Sequence, residues 1–137
     1  KPVASLDEEC RIAQQYLEIE KVRMEERMQV SFTIDDELLQ QKLPTLTILT
    51  LIENAVKHGI TPNPEKGYIS VRARKLNYLN WQLEITNSYA RQSTSKSTGT
   101  GLKNTRQRLK LMFADEAKLR IEDQQTSYSV IMELPHV

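Results

Sequence analysis

The chain has 137 residues, with 19 Lys plus Arg against 18 Asp plus Glu, a formal net charge of +1 and 39% hydrophobic residues. That is one domain of ordinary globular composition, long enough to bury a core and too near neutral to hold nucleic acid or an anionic membrane by bulk charge. The single cysteine, Cys10, excludes an internal disulfide and a cysteine-rich zinc site, and no stretch approaches the roughly 18 apolar residues of a membrane span. The sequence opens at Lys1-Pro2 beside a helical pattern and reads as a fragment of something longer.

Ser5 and Glu8 have the spacing of a capping box, and Leu6, Cys10, Ala13 and Leu17 recur at three- to four-residue intervals, with Tyr16 and Ile19 widening the stripe. This predicts an amphipathic helix ending near Met24 to Met28. Val30, Phe32 and Ile34 alternate with Ser31 and Thr33, as in a strand with one buried face. From Pro44, read as a first helical position, Leu46, Ile48, Leu49, Leu51, Ile52, Ala55 and Val56 predict a helix that is apolar around most of its girth, stopped by Gly59 and Pro62. A turn-rich loop over 61–67 leads into a strand from Tyr68 to Arg74. Asn77 to Asn80 reads as a hairpin connection to a strand carrying Trp81, Leu83 and Ile85. Residues 88–100, rich in Ser, Thr and Gly, read as a long functional loop. A third helix starts near Gly101, with Leu102, Leu109, Met112 and Phe113 on its inner face, and strands follow around Leu119–Glu122 and Tyr128–Leu134. The sum is an α+β domain: one mainly antiparallel mixed sheet of about five strands, with its helices on one face.

The near-zero charge is a cancellation. Residues 1–40 carry ten acids and five bases, whereas 91–110 carry Arg91, Lys96, Lys103, Arg106, Arg108 and Lys110 and no acid. A basic block suggests either a site for a compact anion or a solvated helix face. On the helix after Pro44, Thr47, Thr50, Asn54, Lys57 and His58 form one polar stripe. A buried helix rarely carries such a stripe without a partner, because an unsatisfied buried amide costs about 1–3 kcal/mol. The Asn carbonyl oxygen suits a hard cation and the Lys ammonium suits phosphate, although a solvent-facing stripe has the same pattern. Thr98-Gly99-Thr100-Gly101-Leu102-Lys103-Asn104 is a Gly-rich turn feeding a helix, where the backbone can approach an anion. Lys103, Arg106 and Arg108 in its first turns oppose the macrodipole and call for an anion or acid nearby.

Together these segments resemble a known family. Leu51-Ile52-Glu53-Asn54-Ala55-Val56-Lys57-His58-Gly59 is similar to the N box of the LytS/YehU-like group of sensor histidine kinases. Gly99-Thr100-Gly101-Leu102-Lys103-Asn104-Thr105-Arg106-Gln107-Arg108-Leu109 resembles the same group's Gly-x-Gly-Leu-x-Asn-x-x-x-Arg-Leu segment. Tyr16 to Arg23 and Pro44 also sit where that group has a helix and a proline. The resemblance spans nearly the whole chain.

It implies a Bergerat-type α/β sandwich of the gyrase, Hsp90, histidine kinase and MutL superfamily, with ATP between helices and sheet under a lid loop. By that resemblance residues 1–27 form a helix leading from a dimerisation and phosphoacceptor region, and residues 28–137 form the ATP-binding catalytic domain. Asn54 would ligate Mg²⁺, Lys57 would contact phosphates, and His58 would line the pocket or simply meet the last carbonyls of its helix. Residues 88–100 would be the lid, hinged at Gly99 and Gly101, with Thr100, Leu102, Lys103 and Asn104 completing the nucleotide-binding set. The implied cofactors are ATP and Mg²⁺. The implied partners are the phosphoacceptor helix of the same kinase, as a homodimer in the intact protein, and a response regulator, often of LytTR type. No direct contact with nucleic acid or membrane is implied, and the location would be the cytoplasmic part of a membrane sensor.

The sequence departs from the wider pattern at two places. An Asp-x-Gly-x-Gly motif is replaced by Asn87-Ser88-Tyr89-Ala90-Arg91, so the adenine amino group would meet the neutral amide oxygen of Asn87, a weaker acceptor than a carboxylate. Thr50 stands where gyrase-type ATPases carry a general-base Glu, which favours phosphoryl transfer over hydrolysis. His58 and His136 are the only histidines, and neither lies in the Phe-rich acceptor motif, so the chain by itself is expected not to autophosphorylate. The alternatives are a nucleotide- or protein-binding module that keeps the fold without catalysis, and an anti-sigma-factor serine kinase.

Overall fold

The computed structural model describes residues 2–61, 66–88 and 100–137, Thr100 by its backbone alone. Helix α1 spans Leu6–Arg23 and begins on the capping box spelled by the sequence. Ser5 Oγ accepts the Glu8 N–H at 3.1 Å, and Glu8 Oε1 accepts the Ser5 N–H at 3.2 Å. Leu6, Cys10, Ala13 and Leu17 are buried, but Ile19 is 70% exposed, so the inner stripe is narrower than its apolar residues suggest.

Seven strands form two sheets among the described residues. A short ribbon absent from the sequence reading pairs β1 (Val3–Ser5) with β3 (Lys42–Pro44), antiparallel. The main sheet contains β2 (Met28–Ile34), β4 (Gly67–Lys75), β5 (Asn80–Ser88), β6 (Lys118–Asp123) and β7 (Ser127–Pro135), in the order β2-β4-β5-β7-β6. Only β2 and β4 run parallel, with Val30 opposite Ile69. The β4–β5 hairpin is closed by Asn77, whose Oδ1 accepts the N–H groups of Leu79 and Asn80, both at 2.9 Å.

The alternation along the strands sorts the two faces of this sheet. Ile69, Val71, Ala73, Trp81, Leu83, Ile85, Val130, Met132 and Leu134 are buried in one core with α1 and the two later helices. Burying a side chain of this size contributes roughly 1.5–3 kcal/mol. The other face carries ion pairs such as Arg72–Glu84 at 3.5 Å and Arg120–Glu133 at 3.8 Å. The architecture is the expected two-layer α+β sandwich, a mixed five-stranded sheet with helices on one face.

Two boundaries differ from the sequence reading. Pro44 closes β3, and helix α2 runs over Thr47–Ala55. A proline lacking an N–H suits the end of that ribbon, and the turn into the helix falls instead on Leu46, at φ 66°. Gly59 does not stop the helix: a π turn over Val56–Ile60 continues it, closed by the Thr61 N–H on the Val56 carbonyl at 2.8 Å. Pro62 lies outside the described residues. Helix α3 spans Thr100–Phe113, with Leu102, Leu109 and Phe113 buried as expected. No helix among the described residues is long and apolar enough to cross a membrane.

Candidate functional site

Helix α2 buries Ile48, Leu51, Ile52 and Ala55 on one side and carries a polar side that meets α3 at Thr50. On that side Thr50, Asn54 and His58 are half-buried and Lys57 is exposed. Thr47 does not belong with them: it is buried, and its Oγ1 donates to the Pro44 carbonyl at 2.6 Å. The expected five-residue stripe is therefore a four-residue one, with Thr47 used to fix the turn before the helix.

Two motifs distant in sequence meet on this helix. At its front, Gly101 of α3 lies against Thr50, with Thr50 Cγ2 3.6 Å from where a Cβ on the glycine would stand. At its back, Gly59 is covered by Asn87 from β5. A Cβ there would run into Asn87 Nδ2 and lie 3.2 Å from the Ser88 carbonyl oxygen. Asn87 is 5% exposed, and its Nδ2 donates to the Ser88 carbonyl at 3.0 Å. With the amide nitrogen used in this way, Oδ1 remains the acceptor end of the side chain. Asn54 sits on the helix between these two contacts.

Gly59→Ala is expected to cost about 1–3 kcal/mol, because the new methyl group must displace a packed amide and not a flexible chain end. Urea denaturation should show that loss together with a shifted Asn87 side-chain amide resonance. An unchanged midpoint would mean that Asn87 yields freely.

The remaining expected site residues are placed as follows. Gly101 is half-buried, Leu102 is 8% exposed in the core, and Lys103 and Asn104 are exposed on the first turns of α3. Thr100 is the first residue of the helix. Of the lid expected over residues 88–100, Ser88 ends β5 and Thr100 begins α3, while residues 89–99, Gly99 among them, lie outside the described residues. Thr105, which the sequence reading passed over, is buried and returns its hydroxyl to the Gly101 carbonyl at 2.8 Å, stiffening the first turn.

Two members of the basic block have main-chain partners, and two others, Arg91 and Lys96, lie outside the described residues. Arg106 and Arg108 were expected to require an anion, yet both guanidinium groups donate to main-chain carbonyls: Arg106 to Leu119 at 3.1 Å, Arg108 to Thr45 at 2.7 Å. Guanidinium forks satisfy carbonyl oxygens that no helix or strand bond uses, so these two charges brace α3 against its neighbours. Lys103 and Lys110 remain exposed.

Two buried titratable groups lie on α1. Burial, helped by Asp7 and Glu9, pushes the Cys10 thiol up to about 12, which excludes it as a nucleophile at neutral pH. Glu9 is 1% exposed and accepts the N–H groups of Leu46 at 2.9 Å and Ile48 at 3.2 Å. Burial raises its carboxyl above the ordinary range, while the N–H groups of Leu46, Ile48 and Thr47 pull the other way. It caps α2, whose own N-cap residue offers no side-chain bond.

No protein-family model matches the chain. It is 32% identical over 133 residues to the sensor histidine kinase BtsS of Escherichia coli, covering 96% of this chain and 24% of that protein. It is 29% identical over 128 residues to the sensor histidine kinase YesM of Bacillus subtilis, covering 90% of this chain and 22% of that one. The chain thus spans about a quarter of the length of these relatives. Among solved structures, the catalytic domain of histidine kinase ThkA superposes with a TM-score of 0.74 at 19% identity, covering 99% of each chain. ThkA has also been solved in complex with the response regulator protein TrrA. By fold the chain is a sensor-histidine-kinase-like catalytic domain, and it is related to sensor kinases of the BtsS, YesM and LytS kind.

Proposed function

We propose that the chain is the ATP-binding catalytic part of a two-component sensor histidine kinase, presenting the γ-phosphoryl group of Mg-ATP to a histidine on a helix preceding Lys1. The observation that carries this reading is the meeting of the Asn54 helix with Gly101 at one end and with the Gly59–Asn87 contact at the other. In a chain related to sensor kinases, that puts the motif suited to a metal and phosphate beside the one suited to a close backbone approach.

The residues fit the absent groups. Asn54 presents a half-buried amide within the polar stripe of a helix whose other side is in the core, and its side-chain oxygen would hold Mg²⁺. Bound there, the ion would neutralise charge on the phosphates. Lys57, exposed one turn on, would approach the phosphates as a point charge, and His58 would line the same helix end. Asn87 Oδ1 would accept from the adenine amino group. Gly101, with Gly99 and Thr100, would let the chain close over the triphosphate. Leu102 would anchor the end of that segment in the core, with Lys103 and Asn104 on its outer side. Thr50 is no base at neutral pH, so the side chains near Asn54 position a phosphoryl group for transfer and do not activate water.

The partners follow from this reading: a phosphoacceptor helix of the same kinase, within a homodimer, and a response regulator, the class of partner that ThkA is shown with. The domain would work on the cytoplasmic side of a membrane sensor, with residues 1–27 leading from the dimerisation region.

Calorimetric titration with a non-hydrolysable ATP analogue, with and without Mg²⁺, tests the proposal. Micromolar, Mg²⁺-dependent binding supports it; absent or Mg²⁺-independent millimolar binding would leave a protein-binding module of the same fold. Gly101→Ala gives a second check, because its Cβ would meet only Thr50 at an ordinary 3.6 Å. Alanine should stabilise the free chain by up to about 1 kcal/mol through helix propensity. The same variant should weaken analogue binding about tenfold. Gain in one with loss in the other is the mark of a glycine kept for a ligand; equal binding would remove Gly101 from the site.

A further inference from the structure

Glu9 and Arg108, which take no part in the reading above, grip opposite sides of a single peptide unit. The Thr45–Leu46 peptide donates its N–H to Glu9 Oε2 at 2.9 Å, and its carbonyl accepts from Arg108 Nη1 at 2.7 Å. Glu9 belongs to α1, Arg108 to α3, and the peptide forms the root of α2. The second oxygen of Glu9 takes the Ile48 N–H at 3.2 Å, and the Thr45 N–H is tied to the Pro2 carbonyl at 3.1 Å. Three stretches that are far apart in the chain, residues 2–9, 45–48 and Arg108, are thus joined through one turn of backbone.

We infer that Glu9 and Arg108 are positioning residues that couple α1 to α3 through the Thr45–Leu46 peptide and so set the placement of the helix bearing Asn54. A peptide group is planar and rigid, so its N–H and C=O turn together. Rotating it away from Glu9 also takes it away from Arg108. Both contacts are charge-assisted, and each polarises the peptide in the sense that strengthens the other. Leu46 is held at φ 66°, a left-handed value that a leucine adopts only under constraint. Turning the peptide over would return that residue to the ordinary negative region. Both contacts are therefore made or lost as a unit, which is the kind of link that coupling between distant elements requires.

Amide hydrogen exchange on the 137-residue chain without nucleotide tests the coupling. Glu9→Gln should raise exchange about tenfold in α3 around residues 105–112, and Arg108→Gln should do the same in α1 around residues 10–17. The double variant should exceed neither single one by more than about twofold. Effects confined to each residue's own helix and to 46–48, or additive in the double variant, would overturn the inference. If Glu9→Gln does not fold, Arg108→Gln decides alone, since Arg108 lies at the surface; Arg108→Lys, which keeps a donor, should restore α1 protection.

The consequence for Asn54 rests on the nucleotide reading and is read separately. At a temperature where every variant is fully folded, Glu9→Gln and Arg108→Gln should each weaken Mg²⁺-dependent analogue binding about fivefold. If the unaltered chain binds no analogue, the nucleotide reading fails and the exchange result still judges the clamp. If it binds and the variants bind equally well, the positioning role is wrong.

Discussion

Asn54→Ala is expected to remove the Mg²⁺-dependent part of ATP-analogue affinity, a loss of about a hundredfold, while unfolding stability shifts by no more than about 1 kcal/mol. Residues that merely orient a metal ligand are worth about 10–100-fold, so the ligand itself belongs at the upper end of that range. Stability moves little because Asn54 is only half-buried and alanine is the better helix former. Titrations of both chains with and without Mg²⁺ would show it: two curves for the unaltered chain, one for the variant. If Mg²⁺ improves binding equally in both, Asn54 is not the ligand, and the polar side of α2 serves another purpose.

Glu9→Ala should be strongly destabilising for a polar substitution, by about 2–4 kcal/mol. It leaves the first N–H groups of α2 without a partner in a buried place, where each unsatisfied group costs about 1–3 kcal/mol and a lost helix cap typically about 1. Thermal unfolding should drop by roughly 10 °C, at about 3–4 °C per kcal/mol for a domain of this size. The pH dependence has a definite sign. Burial raises the Glu9 carboxyl above its ordinary value of 4.5, so the folded chain binds that proton more readily than the unfolded one. Its contribution is fully present below pH 4.5 and is lost as pH rises through the raised folded value. Compared with Glu9→Gln, which does not titrate, the unaltered chain should lose relative stability over that window and stay constant above it. A relative gain with rising pH would mean that the three N–H groups outweigh burial.

How much of this was readable in the sequence depended on range. The start of α1 was legible because Ser5 and Glu8 cap it within four residues, and the strands of the main sheet because their alternation is local. The ribbon of β1 with β3 was not: Lys42, Leu43 and Pro44 are too few to alternate, and their partner lies some forty residues earlier, at Val3 to Ser5. Leu46 carries no turn signal, so its left-handed backbone, whose N–H is held by Glu9 from another helix, was invisible. The π turn hid for the opposite reason: Gly59 is a strong stop signal, but here it is needed as the bare surface on which Asn87 rests. For the candidate site, the residue types on α2 and the Gly101 segment were legible as motifs. The directions of Arg106 and Arg108 were not, because a long cation's partner is chosen by whichever carbonyl the tertiary fold leaves open.

The single parallel pair in the main sheet has a bearing on how the site comes into being. Met28 of β2 lies opposite Gly67 of β4, and the chain between them must leave the sheet and return, so α2 is the crossover that closes this loop. Closing a long loop costs more chain entropy than closing a hairpin such as β4–β5, and non-local pairings of this kind slow folding. The helix bearing Asn54 is therefore tied to one of the costlier closures in the domain. Refolding followed by a probe on α2 should lag behind one on the β4–β5 hairpin, so that a newly made chain has most of its sheet before the helix bearing Asn54 is in place.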